Sequence, residues 1–298
     1  MVGLPSRRKV AKDLCERERH SQRGACALVG IWRSSFRYER KAETEEERRL
    51  RGRIRQIAYQ HKRYGCRRIR IMLGREGWEV NKKRVHRIWK EERLQVGRRR
   101  RKKRAPWSKG EVVPRALYRN HVWTYDFIED STEKGNRLRF LAVVDEYTRE
   151  CLAIEARRSF DALRVIDCME WLFLTKGVPE YIRSDNGPEF AAKAVREWLG
   201  KNGSKTIYIE PGSPWENGYM ESFLGKFRDE CLNMEVFADV RGAQVVAEGW
   251  RKEYNERRPH SGIGGLTPAE FAARSVIFVT PTASLRLQNA GAMVVPSN

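Results

Sequence analysis

The spacing of apolar residues changes partway along the chain. Up to about residue 94 the period is helical. In "TEEERRLRGRIRQIAYQH" (44–61), Leu50, Ile54, Ile57, Ala58 and His61 fall on one helical face. Thr44 and Glu47 stand at capping-box spacing, and the acids at 43, 45, 46 and 47 suit a helix N-terminus. Ile69, Met72 and Leu73 make a second stripe, which Gly77 interrupts. Asn81 can cap a third helix whose apolar face is Val85, Ile88 and Trp89. Residues 21–38 suggest two short helices around a turn at Val29-Gly30; a small helix-turn-helix and a generic amphipathic pair both fit.

Beyond residue 120 the period shortens towards two. "HVWTYDFIED" (121–130) predicts a strand, and "LRFLAVVDEYTRECLAIEA" (138–156) a hairpin turning around 145–150. Leu163, Ile166, Met169 and Leu172 then return to helical spacing until Gly177. A short strand at 181–185, a helix at 188–201 and a strand at 205–210 follow. After Pro211-Gly212-Ser213-Pro214, helices are predicted from about Trp215 to Leu232 and over about 239–256. Three strands, helix, strand, helix, strand, helix is the order of a mixed α/β sheet with helices on its faces. The last twenty residues read as peripheral.

Charge divides the chain at the same place. Residues 1–104 hold 35 Lys and Arg against 12 Asp and Glu; the remainder holds 25 against 27. The whole formal excess of +21 therefore belongs to the first third, which predicts a part that binds a polyanion. The third predicted helix carries Lys82, Lys83, Arg84, His86, Arg87 and Lys90 opposite its apolar face. Two short helices across a glycine turn, the second basic, is how a helix-turn-helix presents itself to a major groove. A basic hairpin touching phosphates alone would share this pattern. Arg98, Arg99, Arg100, Arg101, Lys102, Lys103 and Arg104 form an unbroken basic run that resists compact folding and suits phosphate contact. The expected division is a basic helical DNA-binding region at 1–104 with its helix-turn-helix near 44–94, a linker at 105–114, a core at 115–276 and a tail at 277–298.

The six cysteines form no C-x-x-C pair, which disfavours a zinc ribbon or a thioredoxin-type site. They read as reduced, mostly buried thiols of a cytosolic protein. No run approaches a membrane span.

The core's acids are the candidate chemistry. Asp126 lies mid-strand among Trp123, Tyr125, Phe127 and Ile128, where a charge needs a compensating partner. Asp185 ends a strand before Asn186-Gly187-Pro188, and ligands gather at strand ends. Taken singly, a buried salt bridge explains the first equally well, and a plain turn the second. Glu216 and Glu221 are five residues apart, roughly 140° around a helix, so they cannot share one site. Glu221 shares its face with Gly218, Gly225 and Arg228. Glycines there let another backbone, such as DNA, approach, and Arg228 could reach a phosphate. A face packed on the sheet, with glycines for close approach, fits the same spacing.

"TYDFIED", "LAVVDEYTRE", "IRSDNGPEF" and "PGSPWENGYMESFLGKFRDECLN" resemble the integrase-core catalytic domain of insertion-sequence transposases. The resemblance is to the second-frame protein of the insertion-sequence-three family. "YGCRRIRIMLGREGWEVNKKRVHRIWKEERL" resembles that family's helix-turn-helix, and "YNERRPHSGIGGLTPAEF" its C-terminal motif. The match runs in order over about 21–276. It implies a ribonuclease-H-like α/β core, a mixed five-stranded sheet flanked by helices, behind an all-α helix-turn-helix region. It also implies a triad of two aspartates and a glutamate. In the family the last two acids are separated by 35 residues, as Asp185 and Glu221 are here; 30 separate Asp185 from Glu216. Asp126 matches the first-strand acid, and Arg228 the basic residue seven after the glutamate.

The implied chemistry is cleavage of DNA at the element's ends and direct transfer of the freed 3′-OH. Two Mg²⁺ ions held by Asp126, Asp185 and Glu221 would support it, with Mn²⁺ expected to substitute. Arg228, Asn186 and Lys226 are implied DNA contacts, with Asn217 and Tyr219 as further candidates. Asn186 and Glu189 fit a turn and helix start equally. Tyr254, Asn255, Arg258, Pro259 and His260 are expected to stabilise the C-terminal end more than to touch DNA. Expected partners are double-stranded element ends and target DNA, further copies of the chain, and a first-frame protein or frameshift fusion. The expected location is the bacterial cytoplasm, at the nucleoid. A catalytically inactive DNA-binding regulator and a purely hydrolytic nuclease are the competing readings.

Overall fold

The computed structural model describes residues 3–38, 42–97, 116–184, 193–208 and 218–275. It divides into two compact units, 1–53 and 54–298.

In the first unit, α1 (Leu4–Arg17), α2 (Gln22–Val29) and α3 (Arg33–Arg37) enclose Ala11, Ala25, Cys26 and Ile31. Ser21 caps α2 by accepting from Gly24 N at 3.2 Å, and Gly30 ends it with φ 64°. α1 is an addition to the sequence reading; its basic residues, interspersed with few apolar ones, give no clear stripe. Helix α4 (Glu45–Gln60) starts with the expected cap, Glu47 N donating to Thr44 Oγ1 at 3.2 Å.

In the second unit, α5 (Cys66–Arg75) and α6 (Lys82–Glu91) form the expected helical pair. Gly77 turns the chain with φ 84°, a conformation that costs other residues more. Asn81 Oδ1 accepts from Lys83 N at 2.9 Å, so α6 starts where the sequence predicts. Ile69, Leu73, Val85 and Ile88 are buried.

The sheet follows. β1 (Val122–Ser131), β2 (Arg137–Asp145) and β3 (Cys151–Arg157) make an antiparallel meander; β4 (Tyr181–Ser184) joins β1 in parallel, and β5 (Lys205–Tyr208) joins β4 in parallel. The strand order is β3-β2-β1-β4-β5. Helix α7 (Ala162–Lys176) makes the crossover to β4, and α8 (Lys193–Lys201) precedes β5. Helices α9 (Gly218–Glu230), α10 (Val240–Glu256) and α11 (Pro268–Ser275) complete the unit. α9 is followed by a short 3₁₀ turn at Leu232–Met234, so the helix stops slightly before the expected end.

Alternation along the strands separates two cores. Trp123, Tyr125, Leu141, Val143 and Ile182 face α7 and α8, against Leu172, Val195 and Leu199. Phe140, Ala142, Val144 and Ile154 face the other way, against Met220, Phe223 and Phe227 of α9 and Ala243, Ala247 and Tyr254 of α10. The six cysteines are free, and four of them are buried, as expected for reduced thiols.

Candidate active site

Asp126 lies in the middle of β1, paired across to Ala142 of β2. It therefore sits on the α9/α10 side of the sheet, with Ile128 two residues on. It is half-buried, and one of its carboxylate oxygens accepts from Phe127 N at 2.7 Å. β4 runs beside β1 with Thr124 opposite Arg183 and ends at Ser184, immediately before Asp185 in the chain. Asp185, Asn186, Glu189, Glu216 and Asn217 lie outside the described residues, as does the basic run 98–104 within the wider stretch 98–115.

Glu221 is exposed in the first turn of α9. The helix buries Met220, Phe223 and Phe227 on the sheet, with the Phe140 and Phe227 rings edge to face at 5.5 Å. Arg228, two turns after Glu221, donates to the Glu129 carbonyl of β1 at 2.5 Å and lies 3.8 Å from Asp130. It thus ties α9 to the strand of Asp126. Gly218 and Gly225 answer one question the spacing left open. Beyond its chain neighbours and the local helix backbone, a Cβ added at either would meet no described atom within 4 Å, so close packing on the sheet does not explain them. Among the described residues no three acid, His or Cys groups gather as a metal cluster, Asp185 being excluded from that count.

Beneath the end of β4 lies a feature the sequence reading missed. Arg183 Nη1 meets both oxygens of Glu146 at 2.9 and 3.2 Å, and both side chains are almost wholly buried. Burial pushes the Glu146 carboxyl up to about 7 against the opposing pull of Arg183 and Arg149. Asp145 organises the same turn, accepting from Asn120 N, Tyr147 N, Thr148 N and Thr148 Oγ1. Asp145 and Thr148 are legible as a turn pair; the Arg183 partnership is tertiary and has no local signal.

Of the C-terminal motif residues, Tyr254, Asn255, Arg258 and His260 are buried. Asn255 clamps Cys151 through both its N–H (2.9 Å) and its carbonyl (2.8 Å). Arg258 is buried and reaches both oxygens of Glu230 at 2.6 Å. Arg68 of α5 shares Glu230 at 3.0 Å, Arg63 meets Asp229 at 2.9 Å, and Arg75 meets Glu270 at 2.7 Å. The helix-turn-helix is thereby bonded to the C-terminal end of the helix that carries Glu221. On α6, Lys82, Lys83, Arg87 and Lys90 are exposed and Arg84 is half-buried; Arg87 also pairs with Glu91 at 3.3 Å. No described helix is long and apolar enough to cross a membrane.

Comparison with known proteins agrees with this architecture. Residues 45–103 match the model of an HTH-like domain, and residues 118–214 and 202–268 match two models of an integrase core domain. The chain is 39% identical over 254 residues to the uncharacterized 31.7 kDa protein of insertion element IS407 from Burkholderia multivorans, covering 85% of this chain and 91% of that one. It is 36% identical to the uncharacterized 39.2 kDa protein of insertion element IS476 from Xanthomonas euvesicatoria, over 90% of this chain and 77% of the other. The transposase for insertion sequence element IS904 of Lactococcus lactis is 26% identical over 78% of this chain and 98% of its own length. Among solved structures, the HTLV-2 integrase catalytic core domain in complex with magnesium aligns with 53% of this chain and 99% of its own, at 18% identity and a TM-score of 0.39. The 39% identity across most of both chains, together with the helix-turn-helix and integrase-core matches, places this protein in the insertion-sequence-three family of transposases.

Proposed function

We propose that this transposase nicks DNA at the ends of its element and joins the freed 3′-OH to target DNA by direct transesterification, using Asp126, Asp185 and Glu221. The observation that carries the reading is the pairing of elements. Asp126 faces the side of the sheet on which α9 packs, Glu221 opens α9, and β4 leads into Asp185. Thr124 of β1 stands opposite Arg183 of β4, and in the chain Asp126 and Asp185 each follow two residues later. The donor set fits a hard divalent cation, since all three side chains offer carboxylate oxygen. Magnesium bound there would activate the attacking hydroxyl and neutralise charge on the leaving oxygen of an in-line displacement.

The chain's own residues supply the rest. Arg228, bonded to β1, holds α9 so that Glu221 stays on the side of Asp126, and its remaining donors suit a DNA phosphate. Lys82, Lys83, Arg84, Arg87 and Lys90 of α6 and the run 98–104 would hold the duplex, mostly through phosphates. Asn186 and Lys226 are further DNA contacts in this reading. In this reading residues 105–114 are the linker in the chain between the DNA-binding region and the core. Further copies of the chain would pair two ends, a first-frame partner or fusion would complete end recognition, and the reaction would take place at the bacterial nucleoid.

The test uses oligonucleotides that carry the element's ends. Asp126→Asn, Asp185→Asn and Glu221→Gln should each drop nicking and joining to background, with DNA binding unchanged. Chelation of divalent cations should do the same to the wild type. Retained nicking in any of the three overturns that residue's assignment. Nicked but never joined products would establish the hydrolytic reading instead. Absence of both from the wild-type chain, with binding intact, would establish the regulator.

A further inference from the structure

The side of α9 turned away from Glu221 carries a second arrangement of charge. Tyr219, Ser222, Lys226 and Glu230 succeed one another at helical spacing. Arg149, from the β2–β3 turn, lays its guanidinium 3.6 Å above the Tyr219 ring. Lys226 folds back by one turn, its Nζ donating to Ser222 Oγ at 2.9 Å. Two cations are thus drawn towards the same stretch of helix, where they repel.

Among the described residues, three nearby carboxylates are engaged by other cations. Glu146 is held by Arg183, Glu150 by Arg119 and Lys176, and Glu230 by Arg258 and Arg68. Among the described residues, Arg149 Nη1 is buried with no hydrogen-bond partner, a costly state for a guanidinium N–H. Arg149 also holds φ at 65°, where non-glycine residues sit only when their surroundings require it. Burial, then the charges of Arg258, Arg68 and Arg149 against that of Glu230, push the Lys226 ammonium down to about 8. Burial, then the charges of Arg258, Lys226 and Arg68, hold His260 down to about 2. Ser222 is exposed and Tyr219 and Lys226 are half-buried, so solvent reaches this stretch of helix.

We infer that Arg149, Ser222 and Lys226 form a phosphate site that takes a backbone phosphodiester of bound DNA, distinct from the one that reacts. Glu221 and Lys226 are five residues apart, roughly 7.5 Å along the helix axis and 140° around it. A phosphate at Lys226 therefore cannot be the one under attack beside Glu221. It is a neighbouring position, and the site orients the strand. The inference rests on DNA being the substrate, but not on the triad.

Amine-reactive footprinting of the wild-type full chain, read by mass spectrometry in chelator, tests it without turnover. Acetylation of Lys226 should slow several-fold on addition of an end-sequence duplex, and less with inorganic phosphate at equal phosphate concentration. Unchanged reactivity with duplex overturns the site. Protection by inorganic phosphate but not by duplex overturns its assignment to DNA. A second arm measures duplex affinity against salt. Arg149→Gln and Lys226→Gln should each reduce the slope of log K on log[salt] by about 0.9, and Lys226→Arg should restore it. In turnover the same variants should raise the KM for DNA. A slope unchanged in folded variants overturns the proposal, and a loss confined to thermal stability assigns the cluster to folding alone. If the triad proves wrong, the footprint and the slope are unaffected.

Discussion

The two faces of the sheet are built by different means. The α7/α8 face is closed by an apolar cluster, with Trp123, Tyr125, Leu172, Phe173 and Leu199 at its centre. The α9/α10 face has an apolar cluster too, but it is bordered by buried charge: Glu146 with Arg183, and Glu230 with Arg258 and Arg68. Asp126, Glu221 and Arg228 all lie on this second side. Buried ion pairs are seldom the cheapest way to stabilise a fold, because desolvation offsets much of the attraction. Their concentration on the face that carries the acids suggests they are kept for position. They fix where β4 ends, how α9 sits, and how α5 meets the core.

The largest structural effect should come from breaking that buried charge. Arg258→Met keeps volume but leaves Glu230 with Arg68 alone. Loss of one partner of a buried pair costs about 3–5 kcal/mol, and the remaining arginine favours the low end. Denaturant unfolding checks this. The exposed pair of Arg137 and Glu129 gives the contrast, since Arg137→Ala should cost less than about 1 kcal/mol. Equal losses would mean that burial does not distinguish the two pairs.

On the opposite face, Leu172→Ala should cost about 2–5 kcal/mol, because the side chain is fully buried. Its joining rate per folded molecule should stay at the wild-type value. Glu221→Gln should do the reverse, losing joining with the unfolding midpoint unmoved. If Leu172→Ala lowers the rate of folded enzyme, the faces are coupled more tightly than their separate cores imply.

The same division explains what could be read from the sequence. β1, β2, β3 and α7 were legible because each carries its own period, two or 3.6, over enough residues to show. The caps at Thr44 and Asn81 were legible because a cap is local. Helix α11 was not separated, being only eight residues long with few periodic positions. Arg149 and Arg183 escaped for another reason. Their partners, Tyr219 and Glu146, lie 70 and 37 residues away, and no local pattern announces such a pairing. Of the acids, Glu221 was preferred over Glu216 by helical geometry, and family spacing made the choice firm. Asp126 needed the resemblance, since a mid-strand acid has more than one use.

Gly225 gives the smallest and sharpest test of the difference between packing and function. It lies inside α9, where glycine destabilises a helix by about 0.5–1 kcal/mol relative to alanine. Apart from its chain neighbours and its own turn of helix backbone, no described atom stands within 4 Å of where its Cβ would be. Gly225→Ala should therefore raise stability by about that amount, readable as a shift in the denaturant midpoint. A position retained at a cost to the helix is consistent with close approach of DNA on the Glu221 side. Joining by Gly225→Ala should then fall while stability rises, with the loss appearing chiefly in KM for the end duplex. A variant that is more stable and equally active would show that nothing comes near this face. The glycine would then mark neither packing nor contact, and the strand would have to reach Glu221 from the Asp126 side of the helix alone.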